Sequence, residues 1–255
     1  MKNWIIFPQP NPQATIRLFC FTYAGASASI FRTWAIHLSP EIEVCAVQLP
    51  GRENRIKEPL FTQLAPLLQN FIPALLPHLD RPFAFFGHSL GGIICFETAR
   101  YLCQIKQKSP LHLFISARQA PGEPDLHPPI HQLPDTEFLQ ELRRFNGTPE
   151  SVLQNIEFMK FFLPILRADL AIAETYVPIP QPPLDCPISV FGGLEDKVTS
   201  PNSFDAWRQQ TQKHFKLHMF PGNHFFIRSQ QQKILQAILC DLQHTSIQNL
   251  HLTLP

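Results

Sequence analysis

Gly87-His88-Ser89-Leu90-Gly91 is a G-x-S-x-G pentapeptide, with an apolar, strand-like run before it and a helix-like run after it. A serine hydroxyl is a weak nucleophile at neutral pH. It becomes an effective one when an imidazole takes its proton and a carboxylate orients that imidazole. Strand, sharp turn and helix in succession would lift the serine above a sheet edge, and the two glycines let the backbones approach closely enough for such a turn. The following helix aims its first N–H groups at the same place. The pattern therefore predicts an acyl-transfer nucleophile at Ser89.

Partners for Ser89 are sought downstream, because the chain order with this turn is serine, then acid, then histidine. A strand-like run from Ile188 ends in Gly192-Gly193-Leu194-Glu195-Asp196, and the next ends in Phe220-Pro221-Gly222-Asn223-His224. Both would deliver their polar residues to the C-terminal edge of a parallel sheet, where sites in open α/β sheets lie. Asp196 and His224 are the candidates, with Glu195 the competing acid. The chain has 11 histidines, so it is the position after the final strand that singles out His224. His88 adjoins the nucleophile, but neighbours on a turn point apart, and it is expected to support the turn. For the oxyanion, one donor is the Leu90 amide. The other is expected from the small-residue loop Tyr23-Ala24-Gly25-Ala26-Ser27, with Ala24 preferred and Gly25 the near alternative.

The elements that must hold these residues are legible as an alternation. Short runs rich in β-branched and aromatic residues, 16–22, 42–49, 82–87, 111–116, 187–191 and 216–220, read as strands. They are apolar throughout rather than alternating, as suits a parallel sheet covered on both faces. Helical patterns fall between them at 29–38, 64–79, 90–104 and 201–212, and a last one lies near 231–242. This predicts one α/β domain over residues 1–255, with a mostly parallel central sheet flanked by helices.

Between 120 and 183 the alternation is suspended. This insert is Pro-rich at both ends and encloses helical patterns at 135–145 and 151–176, the second containing Pro164, which is expected to kink or break it. Its apolar side chains, including Phe158, Phe161 and Phe162, either pack as ordinary core or roof a hydrophobic pocket. Residues 245–255 show no clear period and are expected to be poorly ordered.

Composition removes several alternatives. Hydrophobic residues are 44% and charged residues 16% of 255, which argues for a globular chain, and a net charge of +1 offers no electrostatic case for nucleic acid or an acidic membrane. The 26 prolines punctuate in small groups and the 6 cysteines are scattered without a CxxC pair, so neither a polyproline ligand nor a zinc site is expected. Unpaired cysteines, with neither a signal-like N-terminus nor a run of membrane-spanning length, predict a cytoplasmic protein.

The segments TYAGASAS (22–29), VQLPGRENR (47–55), FFGHSLGG (85–92), SARQAP (116–121), ETY (174–176) and FPGNHFFI (220–227) resemble the type II thioesterases, free-standing α/β-hydrolases that serve nonribosomal peptide and polyketide synthases. The resemblance runs from about Ile16 to Leu242. It implies an α/β-hydrolase fold with a mobile helical lid at 120–183 and an acyl-Ser89 intermediate in hydrolysis of thioesters on the phosphopantetheine arm of acyl- or peptidyl-carrier proteins. No metal or organic cofactor is implied. It assigns Ser89, Asp196 and His224 the same roles as the spacing does. A sister activity, release of medium-length chains from a fatty acid synthase, and small-molecule ester hydrolysis or acyl transfer are the alternatives. The chain departs from the family at Ala26 and Asn223, where glycines are frequent, and at Leu90, where methionine is common. Arg52 and Arg55 are expected to be structural or solvated, with contact to an acidic carrier protein as the other reading.

Overall fold

The computed structural model describes residues 3–38 and 40–252. Among these residues seven strands form one sheet: β1 (Ile5–Ile6), β2 (Ile16–Phe21), β3 (Ile42–Val47), β4 (Phe83–His88), β5 (Leu113–Ser116), β6 (Ile188–Gly193) and β7 (Phe215–Phe220). The order across the sheet is β1-β3-β2-β4-β5-β6-β7, with every pair parallel except β1 with β3. The α/β-hydrolase class expected from the sequence is the class observed. Among the described residues eight α-helices accompany the strands: α1 (Trp34–His37), α2 (Leu64–Leu75), α3 (Leu90–Gln104), α4 (Asp135–Phe145), α5 (Glu150–Leu153), α6 (Ile156–Glu174), α7 (Phe226–Ser229) and α8 (Gln231–Leu252).

The near-continuous apolar strands are explained by their two covered faces. Successive side chains of a strand point to opposite sides. Phe19, Phe21, Phe83 and Phe85 accordingly face a core that α2, α3 and Ile172 of α6 complete. Leu18, Cys20, Ala84 and Phe86 face a second core shared with Trp34 and the apolar residues of α7 and α8. Helix α3, which carries the turn after β4, is buried along most of its length, from Leu90 to Leu102. A third, smaller cluster made of Ile130, Phe138, Leu142, Leu153, Met159 and Leu166 holds the insert together from within.

Four expectations need correction. The long helix expected at 151–176 is two helices, and it breaks at Asn155 rather than at Pro164. Asn155 caps α6 by accepting the Phe158 N–H at 3.0 Å, and α6 continues through Pro164. The segment 201–212 forms two 3₁₀ stretches, and 29–38 a 3₁₀ turn followed by the single-turn α1. The last helix, expected to end near Leu242, runs to Leu252, so most of the segment expected to lack order is helical. Thr245 is buried there, its hydroxyl 3.0 Å from His112 Nδ1, while residues 253–255 lie outside those described. The two-residue edge strand β1 was too short to show a period.

Candidate active site

The turn after β4 has the geometry the pentapeptide requires. Ser89 sits at φ +54°, ψ −114°, a conformation that non-glycine residues seldom adopt. Its neighbours have no room for a side chain: a Cβ on Gly87 would lie 2.1 Å from the Gly91 carbonyl oxygen, and one on Gly91 2.3 Å from that of Phe21. Glycine is needed here for close approach of two backbones. The register places Phe21 opposite Gly87, so the loop leaving β2 begins beside the serine.

The loops after β6 and β7 bring the predicted acid and histidine to the same edge. His224 Nε2 is 3.0 Å from Ser89 Oγ, and His224 Nδ1 is 2.9 Å from Asp196 Oδ2. The other carboxylate oxygen, Oδ1, accepts the backbone N–H groups of Val198 at 2.8 Å and Thr199 at 3.1 Å. Asp196 and His224 are buried, whereas Glu195, the competing acid, is exposed and takes no part in this line. His88 is fully buried, with Nδ1 2.9 Å from Ser116 Oγ and Nε2 2.9 Å from the His224 carbonyl oxygen. Burial, followed by the nearby His224, holds its pKa well below the usual value. A neutral His88 that donates from Nε2 accepts the Ser116 hydroxyl at Nδ1. It therefore braces the loop that carries His224.

Residues Tyr23 to Ala26 form a turn closed by the Ala26 N–H on the Tyr23 carbonyl at 3.0 Å, with Gly25 at φ +78°. The left-handed position is thus Gly25, and alanine at 26 is accommodated. The Gly25 amide donates to Asp169 Oδ2 at 2.7 Å. Among the hydrogen bonds of the described residues, none occupies the Ala24 or the Leu90 amide. Of the two candidates in this loop, Ala24 is therefore the one whose N–H is not engaged.

A cavity of about 330 Å³ opens beside Ser89 and His224, walled by Leu142, Phe145, Phe158, Phe162, Leu166 and Leu170 from the insert. The Phe158 and Phe162 rings meet at a tilt of 37° with centroids 5.3 Å apart. Phe161 does not belong with them: it lies on the outer side of α6, 71% exposed, because one residue along a helix turns a side chain by about 100°. Of the readings for Arg52 and Arg55, the structural one holds and the solvated one does not, since both are buried. Arg55 grips Glu58, donates to the Gln48 carbonyl at 2.6 Å and lies 4.0 Å over the Trp4 ring. Arg52 is paired with Asp169. Sequence reading passed over Asp169 and Arg228, which lines the cavity and donates to the Tyr23 hydroxyl at 2.7 Å. The single acid between Glu157 and Glu174 of the mainly apolar α6 was the available signal for the first. Among the described residues no group of three His, Cys, Asp or Glu side chains converges as metal ligands would.

A hydroxyl, an imidazole and a carboxylate in line above a parallel sheet, facing an apolar cavity, define a serine hydrolase of the α/β class. The thioesterase domain model matches residues 16–242, and the chain belongs to the thioesterase family. Linear gramicidin dehydrogenase LgrE of Brevibacillus parabrevis is 44% identical over 95% of this chain and 93% of its own length. Gramicidin S biosynthesis protein GrsT of Aneurinibacillus migulanus is 43% identical, over 95% of each chain. The structure of the type II thioesterase BorB, from the borrelidin biosynthetic cluster, superposes with a TM-score of 0.86 at 36% identity, covering 94% of this chain and 97% of that one. The dehydrogenase in the first name stands apart from the family model, with which the site geometry agrees.

Proposed function

We propose that this chain hydrolyses acyl groups from the phosphopantetheine arms of carrier proteins in a nonribosomal peptide or polyketide pathway, clearing short or aberrant chains in the cytoplasm. The observation that carries the reading is the hydrogen-bonded line from Ser89 through His224 to Asp196, opening into an acyl-sized apolar cavity under α4 to α6. The family and the antibiotic-pathway relatives supply the substrate class, and six free cysteines favour a reducing compartment. Among the described residues no helix is long and apolar enough to cross a membrane.

In this mechanism Ser89 Oγ attacks the thioester carbonyl as His224 Nε2 takes its proton. Asp196 fixes the imidazole tautomer and stabilises the imidazolium, and the Ala24 and Leu90 amides receive the oxyanion. The thiol departs with that proton. Water then attacks the acyl-serine with His224 as base, which releases the acid. The steps use protein groups alone. Residues 120–183 act as a lid on the domain 1–255, with Phe158 and Phe162 against the acyl chain. An apolar cavity of this kind discriminates weakly between chain lengths, as suits an editing enzyme.

Intact-protein mass spectrometry of acetyl- and longer acyl-loaded carrier proteins tests this. Wild type should unload them and Ser89→Ala should not. Carriers that stay loaded while a simple ester is cleaved would replace this reading with a small-molecule hydrolase. Selective removal of medium-length chains from a fatty acid synthase would place the enzyme with the chain-releasing thioesterases.

A further inference from the structure

Asp169 belongs to α6 in the insert, yet only 3% of its side chain is exposed. Its Oδ2 accepts the Gly25 N–H at 2.7 Å and is ion-paired with the Arg52 guanidinium, itself 6% exposed. Arg52 links onward: its carbonyl accepts Gln48 Nε2 at 3.1 Å, and Gln48 Oε1 accepts the Ala28 N–H at 2.6 Å. The loop after β2 is therefore held near both of its ends, at Gly25 and at Ala28, by one buried chain of polar groups that reaches into α6. Packing marks the same junction, since a Cβ on Gly25 would come 2.6 Å from Leu166 Cδ2 and 2.9 Å from Phe162 Cζ.

The geometry points to Asp169 as a positioning residue for oxyanion stabilisation: by holding the Gly25 amide it fixes the turn that carries the unengaged Ala24 N–H, which lines the same cavity as Ser89. Glycine is the residue least restrained by its own sterics, so a turn centred on Gly25 needs an external anchor to keep one orientation. Catalytic donors are sensitive to such placement, and a displacement of about 1 Å costs on the order of 10²-fold in rate. The carboxylate has a second consequence, because a bare negative charge beside this loop would oppose a developing oxyanion. Arg52 neutralises it, which accounts for a buried ion pair at a place where two apolar side chains would fill the same space. The proposal rests on the reading of Ser89 as nucleophile and on no feature of the carrier protein.

The test compares wild type, Asp169→Ala and Asp169→Asn on a small acyl thioester, acetyl-N-acetylcysteamine. A trifluoromethyl ketone serves as a second probe, because its hemiketal on Ser89 places an oxygen where the oxyanion forms. For Asp169→Ala, kcat should fall about 10- to 100-fold with KM within about twofold, and ketone affinity should fall by a similar factor. Asp169→Asn keeps an oxygen to accept the Gly25 N–H and should recover to within about fivefold of wild type. A folded Asp169→Ala enzyme with unchanged kcat and ketone affinity, or a loss confined to KM, overturns the proposal. If that variant does not fold, the double variant Asp169→Leu with Arg52→Met removes acceptor and cation together. It should show the same paired losses, and their absence overturns the proposal equally. A wild type that neither cleaves the thioester nor binds the ketone would instead refute the nucleophile reading beneath it.

Discussion

Asp196→Asn tests the site at its most specific point, because the surroundings dictate how an asparagine would sit. Asp196 Oδ1 receives two backbone N–H groups, from Val198 and Thr199, while Oδ2 faces the single His224 Nδ1. The one oxygen of asparagine stays with the two donors, since the opposite orientation leaves the buried Thr199 N–H and the half-buried Val198 N–H facing an NH₂, at a cost of about 1 to 3 kcal/mol for the first and less for the second. The NH₂ is then presented to His224 Nδ1, which must accept. The imidazole proton moves to Nε2, the atom that has to take the proton of Ser89. A wrong tautomer, with the loss of the negative charge beside the imidazolium, corresponds to a fall in kcat of about 10⁴. Acyl-thioester turnover followed with a thiol reagent measures this, with Glu195→Gln alongside and expected to lie within about twofold of wild type. If the asparagine variant retained a tenth of wild-type kcat, or if Glu195→Gln fell with it, the assignment of the acid would be wrong.

Two further perturbations bear on the cavity and on a buried histidine. Phe162→Ala removes part of the cavity wall and should lower kcat/KM for a hexanoyl thioester about 5- to 10-fold, roughly half the value of a fully buried aromatic ring. Phe161→Ala, on the outer face of the same helix, should leave kcat/KM within about twofold, and equal effects would refute the placement of α6 over the cavity. His112 is buried between Ser189 and Thr245, with Asp241, His218 and Lys216 facing the same cluster, and burial lowers its pKa to about 4. Its folded pKa lies below the unfolded value of about 6.5. The unfolded chain therefore binds a proton that the folded one refuses, and stability present above pH 6.5 is lost as pH falls toward 4. That one proton contributes about 1.4 kcal/mol per pH unit within the window. Urea unfolding across it should show a slope shallower by about one proton in His112→Asn than in wild type, and identical slopes would rule this out.

The parts of the architecture that were readable from sequence are those where one local cause dominates. Strand β4 and helix α3 were legible to within a residue because Phe83 to Phe86 is buried on both faces and Gly87 and Gly91 punctuate the turn between them. His224 and Asp196 could be picked out because strand ends place residues at one edge whatever the side chains do. What resisted reading depended on competition between neighbours. In the insert, Pro164 is a strong local breaker, yet the helix passes it, while the break falls at Asn155, whose side chain offers an alternative partner to the Phe158 N–H. Phe161 and Phe162 are adjacent and chemically identical, and only the rotational phase of α6, set by its apolar seam against Gly25 and the third cluster, decides that one faces the cavity and the other faces solvent. For Arg52 and Arg55 the structural and solvated readings both stayed open, because the acid that fixes Arg52, Asp169, lies 117 residues away and carries no sequence signal that links the two.

Packing against neighbours also keeps Ser89 in a conformation that costs on the order of 1 to 3 kcal/mol. Relaxing its backbone would require β4 or α3 to move, and neither has room to do so. Its N–H is committed to the Ser116 carbonyl at 2.7 Å and its carbonyl to the Gly92 N–H at 2.9 Å. On either side Gly87 and Gly91 already lie against backbone, so a shift in one direction closes on the Gly91 carbonyl and in the other on that of Phe21. Below the turn Ile94 and Cys95 lock α3 onto the sheet core. The strain is thus borne by the cooperative packing of two buried elements and not by the turn itself. The hydroxyl stays raised toward His224 without any contribution from a bound substrate, so the nucleophile is in place before the acyl chain arrives.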